Sequence, residues 1–523
     1  MRIHSTKLTV CLIILFAVLL SGPKAFAQVQ EIPQLEEIVS YITGDTTSTG
    51  VQNHTIYGLQ RGGTYFSLGQ ISSNFPLTIV DVGDESLARP QIIVLIDDTG
   101  NSSQPFKPFK NLTLKGISFS GMNSAGSIMS QLIQTGTTNI KVTFNNCEFD
   151  SVRSTVIKVD QNYCSVFMTD CIVHNVFGGN FTGRFIDGRS TLMDSVVVVN
   201  STFYNIQHAV INKFGGWERY VKFDHNTFYN IARSTLKIVE CPEVVITNNL
   251  FLQTGIVGYE NLWKLFYEAP AYANSDRDNW VRVELLPMAD STKKYFGMDQ
   301  KMNFTRNNFW IDPAIDAALP DTMYGYMNLD FDYEKEMVGA DTLTWISEDV
   351  NFTKVPECRG AAMSLEARSS GSGSPHVNPG YDYTNPPYDF SYSTTSASYT
   401  AAEGGFPLGD LNWFPSKKTE WENYTDVEEN EYAGIPSTFS LEQNYPNPFN
   451  PTTVIKYSVP EASNVQLKIY NILGKEVASL VNSNQVAGQY SVSFNAQNMA
   501  SGVYFYTISA GKYTSTKKMM LIK

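Results

Sequence analysis

The sequence predicts an all-β chain: a right-handed parallel β-helix with three short strands per coil, followed by a β-sandwich. One repeated phrase and the bulk composition carry the first half. A run of strand-and-turn motifs at the C-terminus carries the second. The phrase TFYNI stands at 202–206 and again at 227–231, each time after an alternating apolar run. Aromatic residues make up 13% of the chain and charged residues only 17%, a balance that favours strands and turns over helices.

Aligned on the repeated phrase, the chain gives six lines. They are VTFNNCEF (142–149), VFMTDCIV (166–173), VVVVNSTF (196–203), VKFDHNTF (221–228), VVITNNLF (244–251) and MNFTRNNF (302–309). LTLKGISF (112–119) is a weaker first member. The first five lines end 24, 30, 25 and 23 residues apart. The last gap is 58, which is either two periods or one coil with a long insertion. Each line reads as a short strand, a polar corner and a second strand. A third strand follows in TVIKV, RFIDG, AVINK and TLKIV. Three strands per period of this length are the mark of a solenoid in which each coil buries its neighbour's face.

The corner position holds Cys147, Cys171, Ser201, Asn226, Asn249 and Asn307. Small or amide side chains stacked about 4.8 Å apart can hydrogen-bond along the axis. Cys147 and Cys171 are therefore expected as buried ladder neighbours rather than reactive thiols. These corners resemble the asparagine ladder of the pectate-lyase-like superfamily, over roughly residues 30–310. IPQLEEIVSYI (32–42) reads as an amphipathic helix capping the open core. LQRGGTYFSLGQISSNFPLTIVDVG after it resembles the first coil of secreted β-helix proteins.

The chain begins MRIHSTKLTVCLIILFAVLLSGPKAFAQVQ. Arg2 and Lys7 precede an apolar core too short to span a bilayer, and Ala25-Phe26-Ala27 forms a small-residue cleavage site. Residues 1–27 are thus expected to be a signal peptide. Removing them takes away Arg2, Lys7 and Lys24 and no acid, which moves the net charge from -13 to -16. With no basic run, nucleic acid is not an expected partner. No other apolar run is long enough to cross a membrane. Five cysteines remain without a C-x-x-C pair, which suits neither a disulfide framework nor a zinc site.

The expected layout is a cap and first coils at 28–110 and the β-helix at 111–311, with an insertion at 255–300. An irregular wrap at 312–416 and a charged linker at 417–434 follow, and a C-terminal domain fills 435–523. In the wrap, GGFPLGDLNWFP (404–415) resembles the closing segment of related secreted β-helix proteins, which implies aromatics docked back on the solenoid. The last domain reads as alternating strands bounded by Pro, Asn or Gly, an immunoglobulin-like β-sandwich. NYPNPFNP (444–451), IYNILGKEV (469–477), SGVYFY (501–506) and the terminal KKMMLIK resemble the type A sorting domain of the type IX secretion system. That resemblance implies recognition by the secretion translocon. It also implies export through the periplasm and across the outer membrane, to the cell surface or the medium.

Candidate chemistry lies on the third strands, where pectate-lyase-like enzymes carry their substrate groove. Alternation puts Ile157, Ile186, Ile211 and Leu236 inward and Lys158, Asp187, Asn212 and Lys237 outward, with Arg189 two residues beyond Asp187. A lyase on an acidic glycan needs a base and a group that neutralises the substrate carboxylate. Lys237 or Lys158 could be the base and Arg189 the neutraliser. Asp187 and Asn212 could hold a sugar hydroxyl or calcium. Trp263 and Trp280 in the insertion could stack on sugar rings, or pack the insertion onto the helix. The same polar row also reads as a ladder of compensating surface charges. His208 and His225 read as structural. Two functions of different class follow: a polysaccharide lyase, or a non-catalytic glycan-binding or adhesin-like surface protein.

Overall fold

In the computed structural model, the described residues are 29–95, 104–120, 129–176, 183–254, 283–310, 343–355, 388–425 and 439–522, with short gaps inside these ranges. Arg189, Trp263 and Trp280 fall outside them, as do the expected signal peptide and most of the insertion and wrap. The chain divides into two units at Lys418 and Thr419.

The first unit is a parallel β-solenoid. One sheet stacks the strands that precede the corners, pairing Val142 with Val166, Val166 with Val196, Val196 with Val221, Val221 with Val244, and Val244 with Met302. A second stacks the strands after the corners, aligning Phe119, Phe149, Val173, Phe203, Phe228, Phe251 and Phe309. A third aligns Ile133, Ile157, Ile186, Ile211 and Leu236. The 58-residue gap is one coil with an insertion, because Val244 pairs directly with Met302 and Phe251 with Phe309. The stacking also runs upstream, from Gln30–Ile32 through Ile56–Gln60 and Leu77–Val82.

Two devices turn the corners. Asn146, Asp170, Asn200, His225, Asn248 and Arg306 take left-handed backbone, φ between 51° and 61°. Asn, Asp and His tolerate that region best among side-chain-bearing residues. The next residue then points inward and bonds to its neighbour one coil away. The Cys147 amide donates to Cys171 Sγ, Cys171 N to Ser201 Oγ and Ser201 N to Asn226 Oδ1. Asn226 N donates to Asn249 Oδ1 and Asn249 N to Asn307 Oδ1. The expected ladder is present. Beside it the core phenylalanines stack, with centroids 5.4 Å apart for Phe203–Phe228, 4.7 Å for Phe228–Phe251 and 4.4 Å for Phe251–Phe309.

The N-terminal helix is shorter than expected. It spans Ile38–Gly44, because Ile32 belongs to a strand paired with Leu59 and the Glu37 carboxylate caps Val39 N and Ser40 N. Ile38, Val39 and Ile42 still close the core. At the other side, a strap over 388–418 docks on the corners. Phe406, Leu408 and Leu411 are buried, and Leu411 N donates to Asn200 Oδ1. Gly409 (φ 84°) approaches so closely that a Cβ would lie 2.6 Å from Thr227 Oγ1. Part of the expected linker is helical, over Pro415–Thr425.

The second unit has a three-stranded and a four-stranded antiparallel sheet. Their inward side chains form one cluster that includes Ile455, Tyr457, Leu467, Ile469, Tyr506 and Met519.

Candidate functional site

The polar row on the third sheet exists as a register. Lys158 pairs with Asp187 and Asp187 with Asn212, and Lys237 follows the paired Ile211 and Leu236. The four isoleucine and leucine positions are fully buried, as alternation requires. The row itself differs from an open groove. Asp187 and Lys237 are 5% exposed and Asn212 1%. Asp187 accepts from the guanidinium of buried Arg184 at 3.1 Å, and Arg184 Nε donates to His208 Nδ1 at 2.7 Å. Lys158 is half-buried and pairs with Asp160 at 3.1 Å. Among the described residues no three His, Cys, Asp or Glu side chains are placed to hold a metal ion.

A different constellation stands on the second sheet. Its outward row runs in register through Ser120, Asp150, His174, Tyr204, Tyr229 and Leu252. Asp150 and His174 stand where the next two coils carry tyrosine. Glu148 lies two residues before Asp150, on the same face. His174 sits between the two carboxylates. Its Nε2 is 3.1 Å from Glu148 Oε1 and its Nδ1 3.2 Å from Asp150 Oδ1. The imidazole stacks on Tyr204, with centroids 4.8 Å apart and planes 11° from parallel, and Tyr388 of the strap meets it edge-on at 6.1 Å.

Asp150 is further fixed by a second amide ladder, which the phrase TFYNI encodes. Asn175, Asn205 and Asn230 all take left-handed backbone, φ 53–54°. Asn230 donates to Asn205, Asn205 to Asn175, and Asn175 to Asp150 Oδ1 at 2.7 Å. The chain of amides ends on the carboxylate. Glu148 is fixed from the other side by Arg89, whose Nη1 is 3.4 Å from Glu148 Oε2. Arg89 is itself clamped, donating from Nε to Asn146 O and from Nη2 to Asn146 Oδ1.

These groups line a cleft of about 370 Å³, together with Thr64, Gln91, Ser118 and Ser120. That volume lies at the small end of the range for ligand sites, about 300–1,000 Å³. Burial lifts the Asp150 carboxyl above its ordinary value, against the pull of His174. Burial also pushes Glu148 up, but the hydrogen bond and charge of His174 and the charge of Arg89 outweigh it and hold that carboxyl below the usual range. Burial pulls His174 down, but Asp150 and Glu148 hold the imidazole above its ordinary value. The resting arrangement is an imidazole between two carboxyl groups, with a guanidinium at the rim.

The repeat pattern alone does not single out the residues of this site. One sign of it was available: aligned on the corner, CEFD and CIVH place Asp150 and His174 where STFY and NTFY place tyrosine. Arg89 gave none, because it comes from an early coil whose length departs from the repeat.

Residues 443–523 match the secretion system C-terminal sorting domain family. That match marks the chain as type IX secretion cargo, exported to the cell surface or released. No helix among the described residues is long and apolar enough to cross a membrane. No curated protein and no solved structure matches the chain.

Proposed function

We propose that this chain is an exported, carbohydrate-directed β-solenoid protein that binds a glycan in the Arg89–Glu148–His174 cleft. The observation that carries this reading is the cleft's pre-set polar floor. Every charged side chain in it is held by at least one fixed neighbour, so a ligand meets acceptors and donors already in place. Binding rather than cleavage is the better fit. A lyase needs a base open to the substrate; of the two bases expected from the sequence, Lys237 is almost fully buried and the partly exposed Lys158 is paired with Asp160. In the cleft both ring nitrogens of His174 are engaged by carboxylates.

A polysaccharide array probed with the full chain tests this, alongside absorbance of unsaturated product on pectate, alginate and glycosaminoglycans. The expected outcome is retention on at least one glycan with no rise in absorbance. Retention on none would end the carbohydrate reading. A sustained rise would make the protein a lyase.

A further inference from the structure

We infer that the cleft selects a neutral polyhydroxylated glycan and rejects uronate or sulfated polymers. This inference rests on the glycan reading above and adds the substrate class to it. Four ionisable side chains meet there, two basic and two acidic: Arg89 and His174 against Glu148 and Asp150. Neither basic group is left unpaired for an anionic ligand. Three donor contacts of Arg89 are spent inside the protein, on Asn146 O, Asn146 Oδ1 and Glu148. His174 is 2% exposed and sandwiched between the carboxylates. The charged atoms open to a ligand at the rim are those of Glu148 and Arg89, each about a quarter exposed and already paired.

An incoming carboxylate or sulfate would have to approach Glu148 and Asp150 with no uncompensated cation to receive it. At close range and low dielectric such like-charge contact costs more than a hydrogen bond returns. Besides Gly62, Gly63 and Ala88, the remaining lining is Thr64, Gln91, Ser118 and Ser120. Hydroxyl and amide groups both donate and accept, and so does a sugar hydroxyl. Glu148, held ionised by its neighbours, is a strong acceptor for such hydroxyls. The acidic whole, with net charge -13, adds a long-range bias in the same direction.

Polygalacturonate and its carboxyl-reduced form share one backbone and differ only in charge. Affinity electrophoresis of the full chain on both, with neutral β-glucan, xylan and mannan beside them, reads the selectivity. The expected result is binding to one or more neutral polymers, with the uronate retarding the protein at least tenfold less than its reduced form. Glu148→Gln removes the anion and frees Arg89, so it should weaken neutral binding and raise uronate binding. Ser118→Phe should fill the cleft and abolish binding without a change in melting temperature, which serves if Glu148→Gln folds poorly. Preferential binding of the uronate by wild type overturns the selectivity and leaves the glycan reading standing. Unchanged binding by Ser118→Phe overturns the cleft as the site. Binding to no polymer overturns both readings.

Discussion

Phe228 shows how a repeated residue becomes a structural one. It is fully buried, with Phe203 on one side and Phe251 on the other. A solenoid coil touches only its neighbours, so a gap in this stack has no distant atoms to fill it. Phe228→Ala should therefore cost about 3–5 kcal/mol, read as a shift in the denaturant midpoint. A cost near zero would mean the coil collapses onto the space. The core phenylalanines and the corner amides were legible in sequence because both obey the repeat. Asp150 and His174 were less so. Outward positions carry no packing rule, and the groups that build the cleft come from adjacent coils and an early arginine that reaches Glu148. Lys237 shows the opposite limit. Alternation placed its neighbour Leu236 inward correctly, but a side chain on the outer face of a sheet need not reach the surface of the protein.

At the scale of elements, the strap over 388–418 docks partly through a buried acid. Asp410 is 1% exposed; its Oδ2 accepts from Thr202 Oγ1 at 2.6 Å and its Oδ1 from Asn412 N at 2.9 Å. Trp413 Nε1 donates to the same threonine, and Lys418 bonds Asp170 nearby. Burial, with a further push from Asp170, raises the Asp410 carboxyl to about 7. An undocked strap would return it to roughly 3.9. Between those values the docked state holds a proton that the undocked state has released. Docking is thus at full strength below about pH 4, weakens as pH rises through about 7, and is flat above. Three units correspond to roughly 4 kcal/mol at most. Hydrogen exchange of residues 388–418, corrected for intrinsic rates, should show protection falling from pH 5 to pH 8. Asp410→Asn keeps the shape without the charge and should flatten that dependence. Equal slopes in variant and wild type would mean that another group governs the docking. The docking of GGFPLGDLNWFP was legible through its resemblance to closing segments. The buried acid within it was not, since its pKa depends on Thr202 and Asp170, more than 200 residues away in the chain.

The whole molecule separates two tasks. The solenoid has one continuous hydrophobic cluster and the C-terminal unit another, with no residue in common. The sorting family match covers only the second unit. Stability of the solenoid and delivery of the chain should then be separable by truncation. Deleting residues 435–523 removes the whole second cluster and leaves the ladder, the phenylalanine stack and the strap untouched. The truncated protein should melt at the temperature of the solenoid transition in the full chain, within the error of a calorimetric scan. In its own host it should remain inside the cell envelope, whereas the full chain reaches the surface or the medium. Fractionation followed by blotting measures the second outcome. A truncated chain that still appears outside would show that export does not depend on the tail. One that fails to melt cooperatively would show that the two cores support each other, and loss of export would then reflect misfolding rather than loss of an address. Only the combination of an intact melt and lost export assigns the tail to sorting alone.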